Sequence, residues 1–571
     1  MMKTRLWRRL ILLGALMLVG AGRLDAAPLD ACQPAVTENW ATVGNWSCGH
    51  VPTNADAVRI PLSVTLTVGA DSDVGDLTLE TTGTRLSLGA GTTLNVYGTL
   101  VTTGTTTSSN IIGSGRVRLV GASRTLFAPN WGAGSTGLRL EIALDNDAVG
   151  ASGQAIKGGE ILIGSGTYNT TADVRPDNGG EGSGRLDIAA GATLITTGNI
   201  ERTGTAGSQA ASVIVSGTLE SSGARISANA ITLADGGRLR VKRNIGLTIA
   251  GAINYVTGST LEYAGSTAQT TGGELTTNVA NLTVANVAGV TLARNTTVDG
   301  QLALNSGGLA TGSYTLTLGS VATCSGDYEV TGVVQRLAPA LATGYCFGHA
   351  NTALTFTSGA TPTEVAVRLS RGTPPFAGAV ARQYTLSAPG FAGVATVRLH
   401  YLDSELNGAT EANLRLWRLD GSQWRLMGRS AIDTTNNYVE LTGVTAFSDW
   451  AIAEDGEPTA VTVVDFGAEL QPDGVHLAWE TANETLNAGF HILRSESPYA
   501  HGVRITPALI PSQAAGGIGG ARYTFIDTTP SSAATRFYWL EDVELTGATA
   551  RHGPVVMAQR LVWLPLVASS E

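Results

Sequence analysis

From about Val58 to about Leu337, apolar residues alternate with small polar ones for three to five positions at a time. A glycine then breaks each run. Arg85-Leu-Ser-Leu-Gly89, Thr93-Leu-Asn-Val-Tyr-Gly-Thr-Leu100, Gly184-Arg-Leu-Asp-Ile188, Val213-Ile-Val-Ser-Gly-Thr-Leu219 and Gly237-Arg-Leu-Arg-Val241 all follow this form. A period of two predicts half-buried β-strands, and helical spacing is nearly absent. Strands this short cannot bury a face alone, so their recurrence predicts the stacking of like units. The phrase at 89–100 is echoed at Ala190-Gly-Ala-Thr-Leu-Ile195 and Asp235-Gly-Gly-Arg-Leu-Arg-Val241. We therefore expect an all-β chain with a parallel β-solenoid over 62–346. Roughly twenty residues per coil and about 4.8 Å per step give a rod on the order of 60 Å. A set of ordinary β-sandwiches is the alternative.

After Cys346 the runs lengthen, as in Glu364-Val-Ala-Val-Arg-Leu-Ser370 and Ala395-Thr-Val-Arg-Leu-His-Tyr401. Such dense antiparallel signals predict a β-sandwich over 347–455. A linker, Glu454-Asp-Gly-Glu-Pro458, separates it from a second sandwich over 459–559, and a tail occupies 560–571. At the other end, Lys3, Arg5, Arg8 and Arg9 precede an apolar stretch from Leu10 to Gly22, which predicts a signal peptide over 1–27. The stretch is short for a spanning helix, and no later segment is long and apolar enough to cross a bilayer. Residues 28–61, with Trp40 and Trp46, fit a cap on the first coil, whose strand edges need covering.

Composition sharpens this outline. Glycine supplies 72 of 571 residues without a Gly-X-Y period, which excludes collagen, and only 14% of residues are charged. A net charge of -10 with no basic stripe excludes nucleic acid as a partner. Four cysteines fall into two close pairs, which favours disulfides Cys32–Cys48 and Cys324–Cys346 in an oxidising compartment. No Cys-x-x-Cys spacing supports a cysteine-bound metal.

The search for chemistry yields little. The seven histidines are His50, His349, His400, His476, His491, His501 and His552, so none lies between 51 and 348. No Gly-x-Ser-x-Gly elbow, His-Glu-x-x-His or phosphate-binding Gly-Lys-Ser/Thr motif occurs. No catalytic residue and no cofactor is assigned. Asp403, Glu405, Asn407 and Glu411, with Gly408, follow the opening spacing of a Ca²⁺ loop. The closing position, 414, is Leu, and a loop capping its own backbone is the plainer reading. Asp71, Asp73 and Asp76, and separately Asp177, Asn178 and Glu181, are smaller acidic clusters that read as solvated turns. Trp131, near Phe127 and Asn130, is either a platform for a sugar ring or core filling at a corner.

Several phrases carry family resemblances. Asn45-Trp-Ser and Val51-Pro-Thr-Asn-Ala-Asp-Ala-Val-Arg-Ile-Pro61 resemble the opening of G8-like solenoid modules of extracellular, glycan-related proteins. Gly258-Ser-Thr-Leu-Glu-Tyr-Ala-Gly265 and Gly289-Val-Thr-Leu-Ala-Arg-Asn-Thr-Thr-Val-Asp-Gly-Gln-Leu302 are similar to a repeat of exported bacterial surface proteins. Tyr401-Leu-Asp-Ser-Glu-Leu-Asn-Gly408, with Phe447-Ser-Asp-Trp450, resembles a sandwich carried near the C-terminus of such proteins. The last sandwich is similar to fibronectin type III, with Trp479 as its buried Trp and Tyr538 on strand F. These resemblances imply a secreted cell-surface protein, structural or adhesive, with an extracellular glycan or cell-envelope component as partner. The rival expectation is a carbohydrate-active enzyme, a polysaccharide lyase or hydrolase working in a groove of the rod.

Overall fold

The computed structural model describes residues 31–80, 83–103, 111–121, 126–127, 138–145, 148–152, 156–176, 184–201, 210–376, 378–454, 461–484, 487–498, 502–514, 520–529, 535–545, 547 and 549–558. The signal segment, the tail, Trp131 and the cluster of Asp177, Asn178 and Glu181 lie outside the described residues. The fold is nearly all β: a parallel solenoid of about 10 turns over 58–335, then antiparallel sheets. The chain divides into two compact units, Met1–Leu309 and Ala310–Glu571.

In the first unit the period-two pattern becomes vertical columns. Leu94, Val117, Leu140, Ile161, Leu186, Val213 and Ile231 sit in register on successive strands, each essentially inaccessible. A second face stacks Tyr168, Leu194, Leu219, Leu239, Leu261, Leu282 and Leu302. A third brings Ile156, Val174, Ile200 and Ile226 into line. On the second face the Leu partners recur about every twenty residues, the coil length expected for a three-sided parallel stack. Inward-facing Thr170 and Thr196 do not break the core, because each hydroxyl hydrogen-bonds the backbone two residues on.

Glycine is required at two kinds of place. Gly91, Gly191 and Gly236, the turn glycines of the three echoed phrases, have φ of +74°, +79° and +74°, where a Cβ is strained. At Gly223 the constraint is closeness, since an added Cβ would lie 2.0 Å from the Gly198 carbonyl oxygen.

Residues 31–50 form a compact lid on the first coil. Trp40 and Trp46 pack edge to face at 5.0 Å, and the Trp46 indole N–H donates to the Trp40 carbonyl at 2.8 Å. Cys32 is bonded to Cys48, and Glu38–Asn39 pairs in parallel with the strand Thr65–Val68. The outer edge of that sheet is thereby covered.

In the second unit, antiparallel pairing begins upstream of Cys346. Strand Val330–Leu337, at the end of the solenoid, pairs with Glu364–Arg371, and Gly344–Cys346 pairs with Ala353–Ala360, so the antiparallel sheets start on the last coil. The disulfide Cys324–Cys346 ties Thr323–Ser325 to the second of them, with Cα atoms 6.1 Å apart. In the last sandwich, strands Thr462–Gln471, Gly474–Asn483 and Arg522–Asp527 form one sheet. Asn487–Ser495, Thr535–Glu544 and Thr549–Ala558 belong to the other. Trp479 is buried between them, stacked on Tyr523 at 5.1 Å and edge-on to Phe490. Tyr538 is also buried and donates to Asp527 at 2.9 Å.

Candidate functional site

The strongest concentration of ionisable groups lies inside the first sandwich. Glu329 precedes strand Val330–Leu337, Arg371 ends Glu364–Arg371, Arg382 opens Arg382–Ser387 and His400 closes Ala392–His400. His349 sits in the turn before Ala353–Ala360, and Glu405 closes the 3₁₀ turn Asp403–Glu405. Strand ends are where side chains from different strands can meet, and these do.

Arg382 is fully buried and organises the group. Its guanidinium donates to both oxygens of Glu329, at 2.9 and 3.1 Å, and through Nε to Glu405 at 2.5 Å. It also donates to the Tyr384 hydroxyl at 2.8 Å and to the His400 carbonyl at 2.6 Å. Arg371 bonds the other oxygen of Glu405 at 2.5 Å and lies 3.6 Å from Glu329. The Nδ1 of His400 is 2.6 Å from Glu329, and its ring stacks on that of His349 at 3.8 Å. Two carboxylates thus face two guanidiniums.

The electrostatics follow from this geometry. Burial pushes the Glu329 carboxyl up, but the His400 hydrogen bond and the Arg382 charge outweigh it and hold the group well below the carboxylate range. Burial, reinforced by the neighbouring His400, pushes His349 down to about 4. Burial also drives the Tyr384 hydroxyl up to about 12.

Glu329, His349 and His400 each offer a ligand atom within 4.8 Å of the others, the donor set of a two-histidine, one-carboxylate centre. The fit to a cation is poor. Both Glu329 oxygens already accept from Arg382, and one also faces His400 Nδ1, so an added ion would meet a fixed guanidinium at its ligand. We read the cluster as a charge-compensated core.

No protein-family model, curated protein or solved structure matches the chain. Its chemistry is therefore argued from its own residues.

In the Ca²⁺-like spacing at 403–411, three of the four candidate donors have protein partners. Glu405 turns inward to Arg371 and Arg382, Asp403 accepts from Asn437 at 2.5 Å, and Asn407 donates to the Ala379 carbonyl at 3.2 Å. Glu411 belongs to a separate 3₁₀ turn, Glu411–Asn413. Only the opening of the spacing matches, and two arginines from distant strands hold Glu405, its second oxygen donor. Asp71 and Asp76 cap the backbone N–H of Thr93 and Thr99 on the next coil, at 2.7 and 2.6 Å. Asp73 accepts from Asn95 at 2.9 Å.

The ionic cluster was not anticipated from sequence, although one signal existed. In Arg382–Ser387 the buried phase reads Arg382, Tyr384, Leu386, so a charge occupies a core position. His400 gave the opposite signal, because Val397 and Leu399 set the inward phase of its strand and alternation points His400 to solvent.

On the solenoid, charges meet on outward faces. Arg116 and Arg118 share Glu141 at 2.8 and 3.0 Å, Arg139 pairs with Glu160 at 2.7 Å, and Arg185 with Asp187 at 2.6 Å. On another face Arg240 bridges Glu220 and Glu262 at 2.9 Å each, Arg238 also reaches Glu262, and Lys242 reaches Glu220 at 3.2 Å. Beside that network runs a column of Thr167, Thr193 and Thr218.

Proposed function

We propose that the chain is an exported structural or adhesive protein, with the solenoid as a binding scaffold for an extracellular glycan or cell-envelope component. One observation carries this reading. Outward columns repeat on successive coils, with charges cross-paired between neighbouring coils and, on one face, a run of Thr167, Thr193 and Thr218. Such a face makes many weak hydrogen bonds at a regular spacing, which suits a repetitive polymer better than a small substrate. The G8-like opening, the repeat phrases and the fibronectin type III-like end support the same reading as resemblances. So do the signal-like first residues and two disulfides, which belong to an oxidising compartment.

The rival reading is a polysaccharide-active enzyme. General acid–base cleavage needs a carboxyl pair free to exchange protons with the substrate. Among the described residues, Glu141, Glu220 and Glu262 of the solenoid are instead bonded to arginine. A glycan array followed by a turnover assay decides between them. We expect retention of one or more acidic or neutral polysaccharides, with no new reducing or unsaturated ends. Turnover would replace the scaffold reading with the enzymatic one, and absence of binding to any glycan or envelope fraction would remove the adhesive role.

A further inference from the structure

Arg336 lies on strand Val330–Leu337 and is 1% exposed, yet no carboxylate pairs with it among the described residues. Its guanidinium donates to three carbonyls: Cys346 at 3.0 Å, Gly319 at 2.6 Å and Ala322 at 2.8 Å. The rings of Tyr345 and Phe347 lie 5.0 and 5.9 Å from it. Burial without a counter-charge pushes the group down to about 10. One further contact is unusual: Nη2 stands 3.3 Å from the Cys346 sulfur. The cation therefore sits where a negative charge appears only if the disulfide opens.

The bond is also within reach. Both half-cystines are partly exposed. They line an open cleft of about 360 Å³ together with Thr323, Thr355, Arg398 and Glu440. The other disulfide has the reverse setting. Cys32 is buried, and the Cys48 sulfur lies 3.4 Å from the His50 carbonyl, whose negative end disfavours a thiolate.

We propose that Cys324–Cys346 is a thiol-exchange site for a low-molecular-weight thiol entering this cleft. The incoming thiolate attacks Cys324 Sγ and forms a mixed disulfide there. The Cys324–Cys346 bond breaks, and its electron pair leaves on Cys346 as a thiolate paired with Arg336. A second thiolate then attacks the mixed disulfide, leaves Cys324 as a thiolate and departs joined to the first as the oxidised reductant. A better-stabilised leaving thiolate leaves faster, so the direction of attack is set by Arg336.

The test treats the oxidised full chain with reduced glutathione, quenches with acid and maps the adducts by mass spectrometry. Expected are an adduct on Cys324 and opening of Cys324–Cys346 about tenfold faster than Cys32–Cys48. Arg336→Met should slow that opening about tenfold, and Arg336→Lys should retain most of the rate. An adduct on Cys346, or equal rates for the two disulfides, overturns the proposal. Should Arg336→Met not fold, the reduced wild-type chain answers by the pH dependence of iodoacetamide labelling. Its midpoint for Cys346 should lie about one pH unit below that for Cys48. A midpoint equal to or above that of Cys48 overturns the proposal equally.

Discussion

The solenoid and the first sandwich handle charge in opposite ways. On the solenoid, Arg116, Arg139 and Arg240 stand on outward columns, each more than a third exposed, and pair across neighbouring coils. In the sandwich, Arg382 is sealed from water with two carboxylates and a histidine around it. The first arrangement costs little to make and little to lose. The second must be complete, because a buried charge left without its partner keeps its whole desolvation penalty. Stability is therefore shared among many coils in one region and concentrated in a few contacts in the other.

The largest effect should come from removing the organising cation. Arg382→Met leaves Glu329 and Glu405 buried together, and should cost about 4 kcal/mol in the unfolding transition of the sandwich. Adding Glu329→Gln to that variant should recover part of the loss. If Arg382→Met alone shifts the denaturation midpoint no more than a surface variant, the contrast between the two regions fails.

Next is a core deletion in the solenoid. Leu239→Ala removes an inward side chain stacked between Leu219 and Leu261, at a local cost of about 3 kcal/mol. Coils contact only their neighbours, so hydrogen exchange should quicken around 218–263 and stay unchanged in strands 139–144. Uniform acceleration across the unit would show that the coils unfold as one body.

A smaller and graded effect is expected from pH. His349 has its folded value near 4 against 6.5 for the free group, so the unfolded chain binds more protons between those values. Stability of the sandwich should accordingly fall as pH drops from 6.5 to 4, by up to about 3 kcal/mol. Glu329, depressed from 4.5, adds a further loss below that value as its carboxylate is protonated. His349→Gln should flatten the first part of the slope and leave the second. A slope that survives in this variant would assign the titration elsewhere.

The smallest effect belongs to the exposed network. Arg240→Gln breaks two ion pairs, but Arg238 still holds Glu262 and Lys242 still holds Glu220, so stability should change by about 1 kcal/mol. Chemical denaturation at low and high salt would measure it.

These contrasts also explain what could be read from the chain beforehand. The solenoid was legible because its contacts obey one local rule: a period of two, interrupted by glycine, repeated until the columns align. Gly91, Gly191 and Gly236 marked equivalent turns before any register was known. Both cysteine pairings were legible from closeness in sequence. The ionic cluster was not, since Arg382 meets Glu329 across 53 positions and His400 meets it across 71. No local pattern records such distances. The loop at 403–411 shows the converse: Glu405, a donor in its Ca²⁺-like opening, is held by arginines that the sheet brings from elsewhere.

The register of the solenoid has one more consequence. Leu239, Leu261 and Leu282 are interchangeable as interior rungs, because each meets a leucine above and below in the same phase. Excising or duplicating the span between two such rungs leaves this leucine column continuous. Reach, in such a molecule, is a heritable quantity that changes by whole coils of about 4.8 Å, independently of what its faces hold.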